Sequence, residues 1–536
     1  MKMKIQKPDQ KKTMNKKNNL REGLFKKTAL LLSVLMVFSL IGCGKKEESD
    51  STQKAESVSQ STESSSQSEQ EEDFSEAENS EDTGVDEYLT ESGLVRSPKV
   101  KLKGDGTDTT TVMIYMNGSN LESDTHSATV DLCEIIDAGS SDQVNIVMQT
   151  MGTKQWDEST KIASDHSQRY EVSGDGFLLV DDSLGQLDCT KAETLSDFVT
   201  WGSENYPADR YELIFWDHGG GPVYGFGFDE WNEDEGASLT IDEMQTGLKD
   251  AGVYFDFIGM DCCLMSSMEV VYALYDFCDY MILSEDFESD YGWSYTDWLS
   301  ALYENPSIST IDLGKKICES MVSKNVEYGD DGGSILSLVN VSTIKILYEA
   351  WKDFAYANQD ALLEKIYSRS VEAEEDCRVD PRMLKVLKAK DESSAENTES
   401  SGVNNADDSS SNIIDNLASY GLTDIMAVSE SLDTEESEAL SSAVAQTLIY
   451  VVANEKDSIL SGLSVTLPYS DTYAYEILHD TFINAGMDEE YVTWLKKFTG
   501  IPDSEEYYDY EEWDQEWDGV ENYDDNYDWS QWQDAA

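Results

Sequence analysis

Short apolar runs alternate with helical stretches through the middle of this chain, and this alternation constrains its fold most. From Thr110 onward six runs are predicted to be strands: Thr111–Met116, Val144–Gln149, Glu212–Trp216, Phe255–Met260, Tyr280–Ser284 and Ile335–Val339. Helices are predicted at 192–205, 239–250, 264–276 and 309–326. Such alternation is typical of βαβ units in a mostly parallel sheet, covered by helices on both faces and binding ligands at its carboxyl edge. The predicted fold class is therefore α/β with a mostly parallel central sheet.

The N-terminus has the pattern of an export signal. Residues 1–28 hold ten Lys or Arg and two acids, and the apolar run Ala29–Ile41 that follows is too short to span a bilayer. The run ends in Leu-Ile-Gly-Cys43, which resembles a bacterial lipobox, where the Cys is lipidated and becomes the first mature residue. We therefore predict a lipoprotein signal at 1–42 and a lipid anchor at Cys43, on the extracytoplasmic face of a bacterial cell membrane. The alternative is an ordinary signal peptide with a chance Cys.

Three segments are too polar to offset their ordering entropy by burial. Residues 43–108 are predicted to be a disordered Ser/Glu-rich tether, and 391–411 a low-complexity insertion within a folded domain at 109–500. The segment 501–536 is predicted to be an acidic aromatic tail, since 503–536 holds 14 acids, no basic residue and nine Tyr or Trp. The tail is either a solvated end, a docking site for a basic partner, or a weak collector of cations.

The charge balance excludes one class of partner. The chain carries 38 Lys and Arg against 108 Asp and Glu, a formal charge of −70. Phosphate backbones would repel it, so no nucleic acid is expected as a partner. Anionic lipid would repel it too, so a lipid chain must provide any membrane attachment.

Two predicted strands end in reactive side chains. The third leads into Asp217-His218-Gly219 and the fourth into Asp261-Cys262-Cys263. A thiol becomes a useful nucleophile as thiolate, and a nearby His or a helix N-terminus favours that form. We predict a catalytic pair of His218 and Cys263, with Cys263 just before the helix at 264–276. The backbone amides of Gly219 and Cys263 are predicted to form an oxyanion hole.

The other His and Cys residues are weaker candidates. None of the remaining His residues, at 126, 166 and 479, ends an apolar strand. Cys133, Cys278 and Cys318 lie in apolar patterns and are predicted to fill core space. Cys189 and Cys377 lie in polar segments without a His nearby in sequence.

Together the two strand-end motifs resemble the His and Cys boxes of the clostripain family of cysteine peptidases, in the caspase-like clan. The resemblance extends to the segments Met113–Asn117, Pro207–Tyr211, Ser284–Trp293 and Gly462–Pro468, and so covers about 110–500, with a poor match at 370–440. It implies a caspase-like α/β/α sandwich, a His/Cys dyad, and hydrolysis of peptide bonds after Arg or Lys. Protein or peptide substrates with a basic P1 residue are therefore expected.

The resemblance also implies roles for individual residues. Asp261, two residues before the nucleophile, is expected to line the S1 pocket and pair with a basic P1 side chain, with Asp290 and Glu285 as second candidates. The alternative is that Asp261 caps the following helix. Relatives usually carry a small residue where this chain has Cys262. Strand alternation predicts that only one of the two thiols faces the cleft, and the family register favours Cys263.

Several alternatives remain at this stage. The second functional hypothesis is a non-catalytic surface lipoprotein that keeps this fold and binds a protein partner or cations. Calcium dependence is known in the family, and the run Asp229–Glu235 offers oxygen ligands, but it lacks the EF-hand register and is interpreted as a solvated loop. No metal or cofactor is assigned. Some relatives are cleaved internally between the two boxes, but 219–248 holds no Lys or Arg; basic residues at 378–390 offer another place.

Overall fold

The computed structural model describes residues 2–3, 95–232, 238–289, 291–329, 334–367, 420–432, 434–454, 456–469 and 471–499. Several predicted features lie outside these ranges: the lipidation site at Cys43, the insertion at 391–411, the basic residues at 378–390, Asp290 and the tail at 501–536. Within the described residues, no helix combines the length and the apolar character needed to cross a bilayer.

A ten-stranded sheet forms the centre of the molecule. Its strands, in chain order, are β1 (Lys2–Met3), β2 (Thr110–Asn117), β3 (Val144–Met151), β4 (Gln168–Ser173), β5 (Gly176–Asp181), β6 (Arg210–Trp216), β7 (Phe255–Asp261), β8 (Cys278–Leu283), β9 (Ile335–Asn340) and, after β10, β11 (Leu448–Ala453). Their order across the sheet is β1-β5-β4-β3-β2-β6-β7-β8-β9-β11. The five central strands from β3 to β8 run parallel, and the strands on both flanks pair antiparallel.

The described residues between 95 and 329 form eight helices. They are α1 (Ser119–Ser123), α2 (Ser127–Ala138), α3 (Ala192–Asn205), α4 (Gly221–Tyr224), α5 (Ile241–Ala251), α6 (Met268–Leu274), α7 (Tyr295–Glu304) and α8 (Thr310–Glu327). Side chains cap the starts of three of these helices, α5, α6 and α8. At α5, Thr240 and Glu243 form a reciprocal capping box.

After β9 the described chain forms a short 3₁₀ turn, Val341–Thr343, followed by α9 (Ile344–Ala357), α10 (Gln359–Tyr367), α11 (Ile425–Glu430), α12 (Glu435–Thr447), α13 (Thr472–Asn484), α14 (Glu489–Leu495) and a 3₁₀ turn at Lys496–Phe498. Strands β10 (Leu422–Asp424) and β12 (Ser464–Thr466) form a separate antiparallel pair. Ser464 donates its N–H to the carbonyl of Ser266 at 2.9 Å, so this pair lies beside the segment that follows β7.

Apolar side chains cover both faces of the sheet. Along β2, Met113 and Tyr115 belong to one core cluster, and Val112, Ile114 and Met116 belong to the other. The first cluster is shared with α3, α5, α6, α9, α12, α13 and α14, and the second with α2, α7 and α8. The result is a three-layered α/β/α arrangement in which every central strand is buried on both sides.

The predicted fold class is confirmed, and all six predicted strands are present. The parallel arrangement holds for the centre of the sheet, while β9 runs antiparallel to β8. One helix boundary was predicted wrongly. The helix expected at 264–276 begins only at Met268, where the hydroxyl of Ser267 accepts the N–H of Val270 as a cap.

Candidate active site

The two reactive motifs lie at the carboxyl ends of neighbouring strands. Strands β6 and β7 pair in parallel register, with Trp216 opposite Asp261. His218 and Cys263 each follow their paired residue by two positions. The register therefore brings both side chains to the same level of the same sheet edge.

The backbones of the two motifs are in direct contact. A Cβ built on Gly219 would lie 1.9 Å from the carbonyl oxygen of Cys263 and 3.0 Å from its nitrogen. The chain then turns back, since Gly220 donates its N–H to the carbonyl of Gly225 at 2.8 Å. Only glycine allows the approach at position 219, so this residue sets the distance between the His and Cys segments.

The His218 side chain is held by a residue that follows the neighbouring strand β2. Its Nε2 lies 2.8 Å from Oδ1 of Asn120, at the start of α1, and its carbonyl accepts the N–H of Gly227 at 2.9 Å. The imidazole is half-buried. With Asn120 Oδ1 as acceptor, the ring carries its proton on Nε2 and leaves Nδ1 free to accept one.

Asp217 anchors the loops around His218. Its buried carboxylate accepts hydrogen bonds from the Ser119 hydroxyl and the Phe228 N–H, both at 2.6 Å, and from the Asn117 side-chain amide. Burial raises the pKa of this carboxyl, while the neighbouring His218 lowers it. Asp217 thereby ties the His loop to the end of β2.

Asn120 and Ser119 were not predicted as site residues. Their signal is present in the sequence, because Asn117-Gly118-Ser119-Asn120 places several polar groups at the end of a buried strand. Strand β2 pairs with β6, so its carboxyl end reaches the same edge. Ser119 has a φ of 43°, which is unusual for a residue with a side chain.

The two adjacent thiols lie in different environments. Cys262 is 3% exposed and packs in the first core cluster, and burial raises its pKa well above the usual range. Cys263 is half-buried, and its Sγ accepts the backbone N–H of Glu288 at 3.1 Å. Leu264, directly after it, has a φ of 66°, a conformation that costs a non-glycine residue roughly 1–3 kcal/mol and is common at functional sites.

The predicted help from a helix dipole is wrong. Helix α6 begins at Met268, so Cys263 lies outside its first turn, where the dipole would act. The sequence pattern missed this because Leu264 and Met265 extend the apolar run, although both belong to the connecting loop.

Asp261 is buried two residues before Cys263. It is 5% exposed, and its Oδ2 accepts the Tyr295 hydroxyl at 2.9 Å. Burial raises its pKa to about 6, against the lowering effect of hydrogen bonds from Glu288 and Tyr295. Ser267, not Asp261, caps helix α6. The alternative role of Asp261 as the cap of that helix is therefore wrong.

Further acids lie close to Asp261, and they were not predicted from the sequence. A Cβ on Gly292 would lie 3.2 Å from Asp131 Oδ2 and 3.3 Å from Asp261 Oδ1, which shows how close the two carboxylates lie to the same backbone. Lys324 of α8 is buried here, with Nζ 2.8 Å from Glu134 Oε1 and 3.5 Å from Asp131 Oδ1. These groups come from helices far apart in sequence, so no local pattern predicts them.

Glu285 and Asp290 were the second candidates for contact with a basic P1 side chain. Glu285 is fully buried, and its Oε2 accepts the N–H of Gly462 at 2.6 Å. Burial and the nearby Asp424 raise its pKa well above the usual range. Its side chain thus contacts the late segments of the chain. Asp290 lies outside the described residues.

The interpretation of Asp229–Glu235 as a solvated loop is wrong for its first two residues. Asp229 is 2% exposed and Glu230 is 8% exposed, and Glu230 accepts the N–H of Lys154 at 2.8 Å. Among the described residues, Asp188, Cys189 and Asp229 bring potential metal ligands within 4.8 Å of one another. Calcium requires six to eight oxygen ligands, and this set with a thiol does not fit it.

The remaining His residues are partly exposed, and the remaining Cys residues that the structure describes are buried. His166 bridges Asp165 and Asp182, and His479 contacts Asp480. Cys133, Cys278 and Cys318 are buried as predicted, and Cys189, predicted in a polar segment, is buried too. Cys377 lies outside the described residues.

Comparison with known proteins identifies the family. The sequence model of the Clostripain family matches residues 114–533. The chain belongs to the Clostripain family. It is a cysteine peptidase, and its substrates are proteins or peptides. A search of curated proteins found no match.

Solved structures of other family members are similar to this chain. A secreted C11 cysteine protease from Bacteroides thetaiotaomicron, in complex with an irreversible peptide inhibitor, is 18% identical, with a TM-score of 0.48, over 71% of this chain and 100% of that one. An inactive zymogen C11 protease from Parabacteroides distasonis is also 18% identical, with a TM-score of 0.44, over 73% of this chain and 99% of that one.

Proposed function

We propose that this clostripain-family peptidase is a lipid-anchored endopeptidase that cleaves after Arg or Lys with a dyad of His218 and Cys263. The observation that carries the proposal is the contact between the two motifs. Gly219 packs against the backbone of Cys263 at the ends of paired strands, which makes the His and Cys segments one unit.

The nucleophile in this proposal is the Cys263 thiolate. Its sulfur attacks the scissile carbonyl carbon, and the negative charge that develops on the carbonyl oxygen is stabilised by the amides of Gly219 and Cys263. Collapse of this intermediate breaks the C–N bond and leaves a thioester. Water then hydrolyses the thioester and releases the acid product and the free thiol.

His218 is the acid and base. It takes the thiol proton on Nδ1 and gives a proton to the leaving amine, then activates the water that attacks the thioester. The hydrogen bond from Nε2 to Asn120 fixes both the tautomer and the ring orientation. Asn120 is therefore a positioning residue.

Asp261 is the group that selects the basic P1 residue. Its carboxylate lies two positions before Cys263 at the end of the same strand. A guanidinium or ammonium can form a charge-assisted hydrogen bond there, and apolar and acidic side chains cannot.

The proposed location is the extracytoplasmic face of a bacterial membrane, through a lipid on Cys43. In the producing cells, the protein should fractionate with membranes and enter the detergent phase. A Cys43→Ser variant should be released or remain unprocessed. Equal membrane association of wild type and Cys43→Ser would contradict the anchor.

Activity is tested with fluorogenic peptides that differ only at P1. Purified protein should cleave the Arg and Lys peptides and leave the Ala and Glu peptides intact, and His218→Ala should be inactive yet folded. Cleavage by His218→Ala at the wild-type rate would exclude the dyad. Turnover of all four peptides at similar rates would exclude basic specificity.

A further inference from the structure

The loop after β8 covers the candidate nucleophile. The backbone N–H of Glu288 donates to the Sγ of Cys263 at 3.1 Å, and the Glu288 carbonyl oxygen lies 4.0 Å from the same sulfur. A substrate carbonyl must approach this sulfur, so a peptide unit in this position obstructs it.

The side chain of the same residue lies beside Asp261. The Glu288 carboxyl lies close enough to the Asp261 carboxyl for each group to shift the pKa of the other. Two carboxyl groups at this range require a proton between them, because two buried negative charges would repel. Glu288 thus donates to Asp261 in the closed loop.

The closed loop leaves polar groups poorly satisfied. Neither Glu288 carboxyl oxygen accepts a well-aligned hydrogen bond, and the neighbouring Trp293 indole N–H, which faces this carboxyl, lacks an acceptor as well. Unsatisfied buried polar groups destabilise the arrangement that contains them. The closed loop is therefore held chiefly by two contacts. One is the proton shared between Glu288 and Asp261, and the other is the hydrogen bond from the Glu288 N–H to Cys263 Sγ.

Five ionisable groups on neighbouring elements interact with Glu288. These groups are Asp261 and Cys262 at the end of β7, Asp131 on α2, Tyr295 on α7 and Cys318 on α8. The one buried ammonium nearby, that of Lys324, is engaged by Glu134 and Asp131. Burial, followed by the charge of Asp261, raises the pKa of Glu288 well above its usual range.

We propose that Glu288 is a latch that closes the active site: its amide covers the sulfur of Cys263 while its protonated carboxyl fills the space beside Asp261 that a basic P1 side chain would enter. The inference rests on the proposed function, since it takes Asp261 as the P1 contact. Two events open the latch. Either Glu288 loses its proton to solvent at higher pH, or an incoming guanidinium takes its place and the proton leaves to water.

The sign of the pH dependence follows from the raised pKa of Glu288. Below this pKa the carboxyl is neutral and donates to Asp261, so the contact is complete and the loop stays closed. As pH rises through this pKa, Glu288 ionises beside Asp261 and the contact becomes repulsive. The opening is therefore favoured at high pH.

The test measures access to the sulfur, without any peptide cleavage. Iodoacetamide, a small neutral reagent, is reacted with the intact protein from pH 5 to 9, and alkylation of Cys263 is followed by mass spectrometry. Rates are expressed as the ratio of each variant to wild type at the same pH, which largely removes the titration of the thiol itself. Glu288→Ala removes the latch, and Glu288→Gln keeps a neutral hydrogen-bond donor of the same size.

We expect Glu288→Ala to react at least tenfold faster than wild type at pH 5, with the ratio falling towards one as pH rises. Glu288→Gln should remain slower than wild type at high pH, because its amide cannot ionise. Hydrogen exchange of the backbone amides in 285–289, corrected for the intrinsic rate, should rank wild type and the two Glu288 variants in the same order as their alkylation rates. The matched control is Asp286→Asn, which removes a buried carboxyl with a pKa of about 6 from the same loop and should leave the pH dependence unchanged.

Two results would overturn the latch: a Glu288→Ala to wild-type ratio near one at every pH, or loss of the pH dependence in Asp286→Asn. Methylguanidine separates the latch from the proposed specificity. If both are correct, it accelerates alkylation of wild type at low pH but not of Glu288→Ala. If Glu288→Ala opens the site but methylguanidine has no effect on wild type, the latch is supported and recognition of a basic P1 residue is contradicted.

Discussion

The imidazole of His218 and the side-chain amide of Asn120 are joined by a contact of 2.8 Å between Nε2 and Oδ1. The two residues lie at the carboxyl ends of adjacent strands, β6 and β2. This contact leaves Nδ1 as the nitrogen that can exchange a proton with the thiol. It also explains why a His that ends a strand can be held in one orientation.

Asn120→Ala should lower kcat by about ten- to a hundredfold and change KM little. The imidazole remains but loses its fixed orientation, so the loss should be no more than that of the whole acid–base contribution, about 10²–10⁴-fold. Steady-state kinetics with an Arg peptide checks this. Asn205→Ala, on the exposed end of α3, is the matched control. An unchanged kcat in Asn120→Ala would show that the contact does not position His218.

Gly219→Ala should reduce kcat/KM by about a hundredfold or more. Its Cβ would lie 1.9 Å from the Cys263 carbonyl oxygen, so the two segments must separate, and a displacement of about 1 Å at reacting groups can cost that much. Gly252→Ala is the control, since a Cβ there meets no atom within 4 Å. That variant should lose about 1 kcal/mol of stability and keep its activity. Full activity in Gly219→Ala would contradict the close approach.

Asp261→Asn should lower kcat/KM for Arg peptides by about ten- to a hundredfold, because a hydrogen bond to a charged group is worth about 1.5–3 kcal/mol. The rate at which iodoacetamide alkylates Cys263 should lie between the rates of wild type and Glu288→Ala. The thiol is retained, so only the closure of the loop can change this rate. Comparing the loss of kcat/KM with the change in alkylation rate separates recognition of the P1 residue from the reactivity of the thiol. If Arg peptides are cleaved as well as by wild type, Asp261 does not contact P1.

The central strands were predictable because each is a continuous apolar run buried on both faces. The hairpin of β4 and β5 was not predicted, since Gln168, Arg169 and Glu171 interrupt its apolar pattern and one side faces solvent. The antiparallel direction of β9 was also missed. Strand direction depends on how a connection returns to the sheet, which a local pattern does not encode.

In the candidate site, too, some residues could be predicted from the sequence and others could not. His218, Cys263, Gly219 and Asp261 follow apolar strands, so their position at the sheet edge could be inferred. Glu288 and Asn120 could not, because their roles depend on which loops fold onto that edge. The start of α6 was misplaced because the apolar pattern runs through Leu264 and Met265 without marking the loop.

Reaction with a peptidyl-Arg chloromethyl ketone, followed by mapping of the modified residue, tests the central claim most directly. Wild type and Cys262→Ala should each be modified once, on Cys263, and Cys262→Ala should retain a substantial part of wild-type turnover. Cys263→Ala should be unmodified and inactive, and His218→Ala should react far more slowly than wild type. Modification of Cys262, or turnover by Cys263→Ala, would contradict the account.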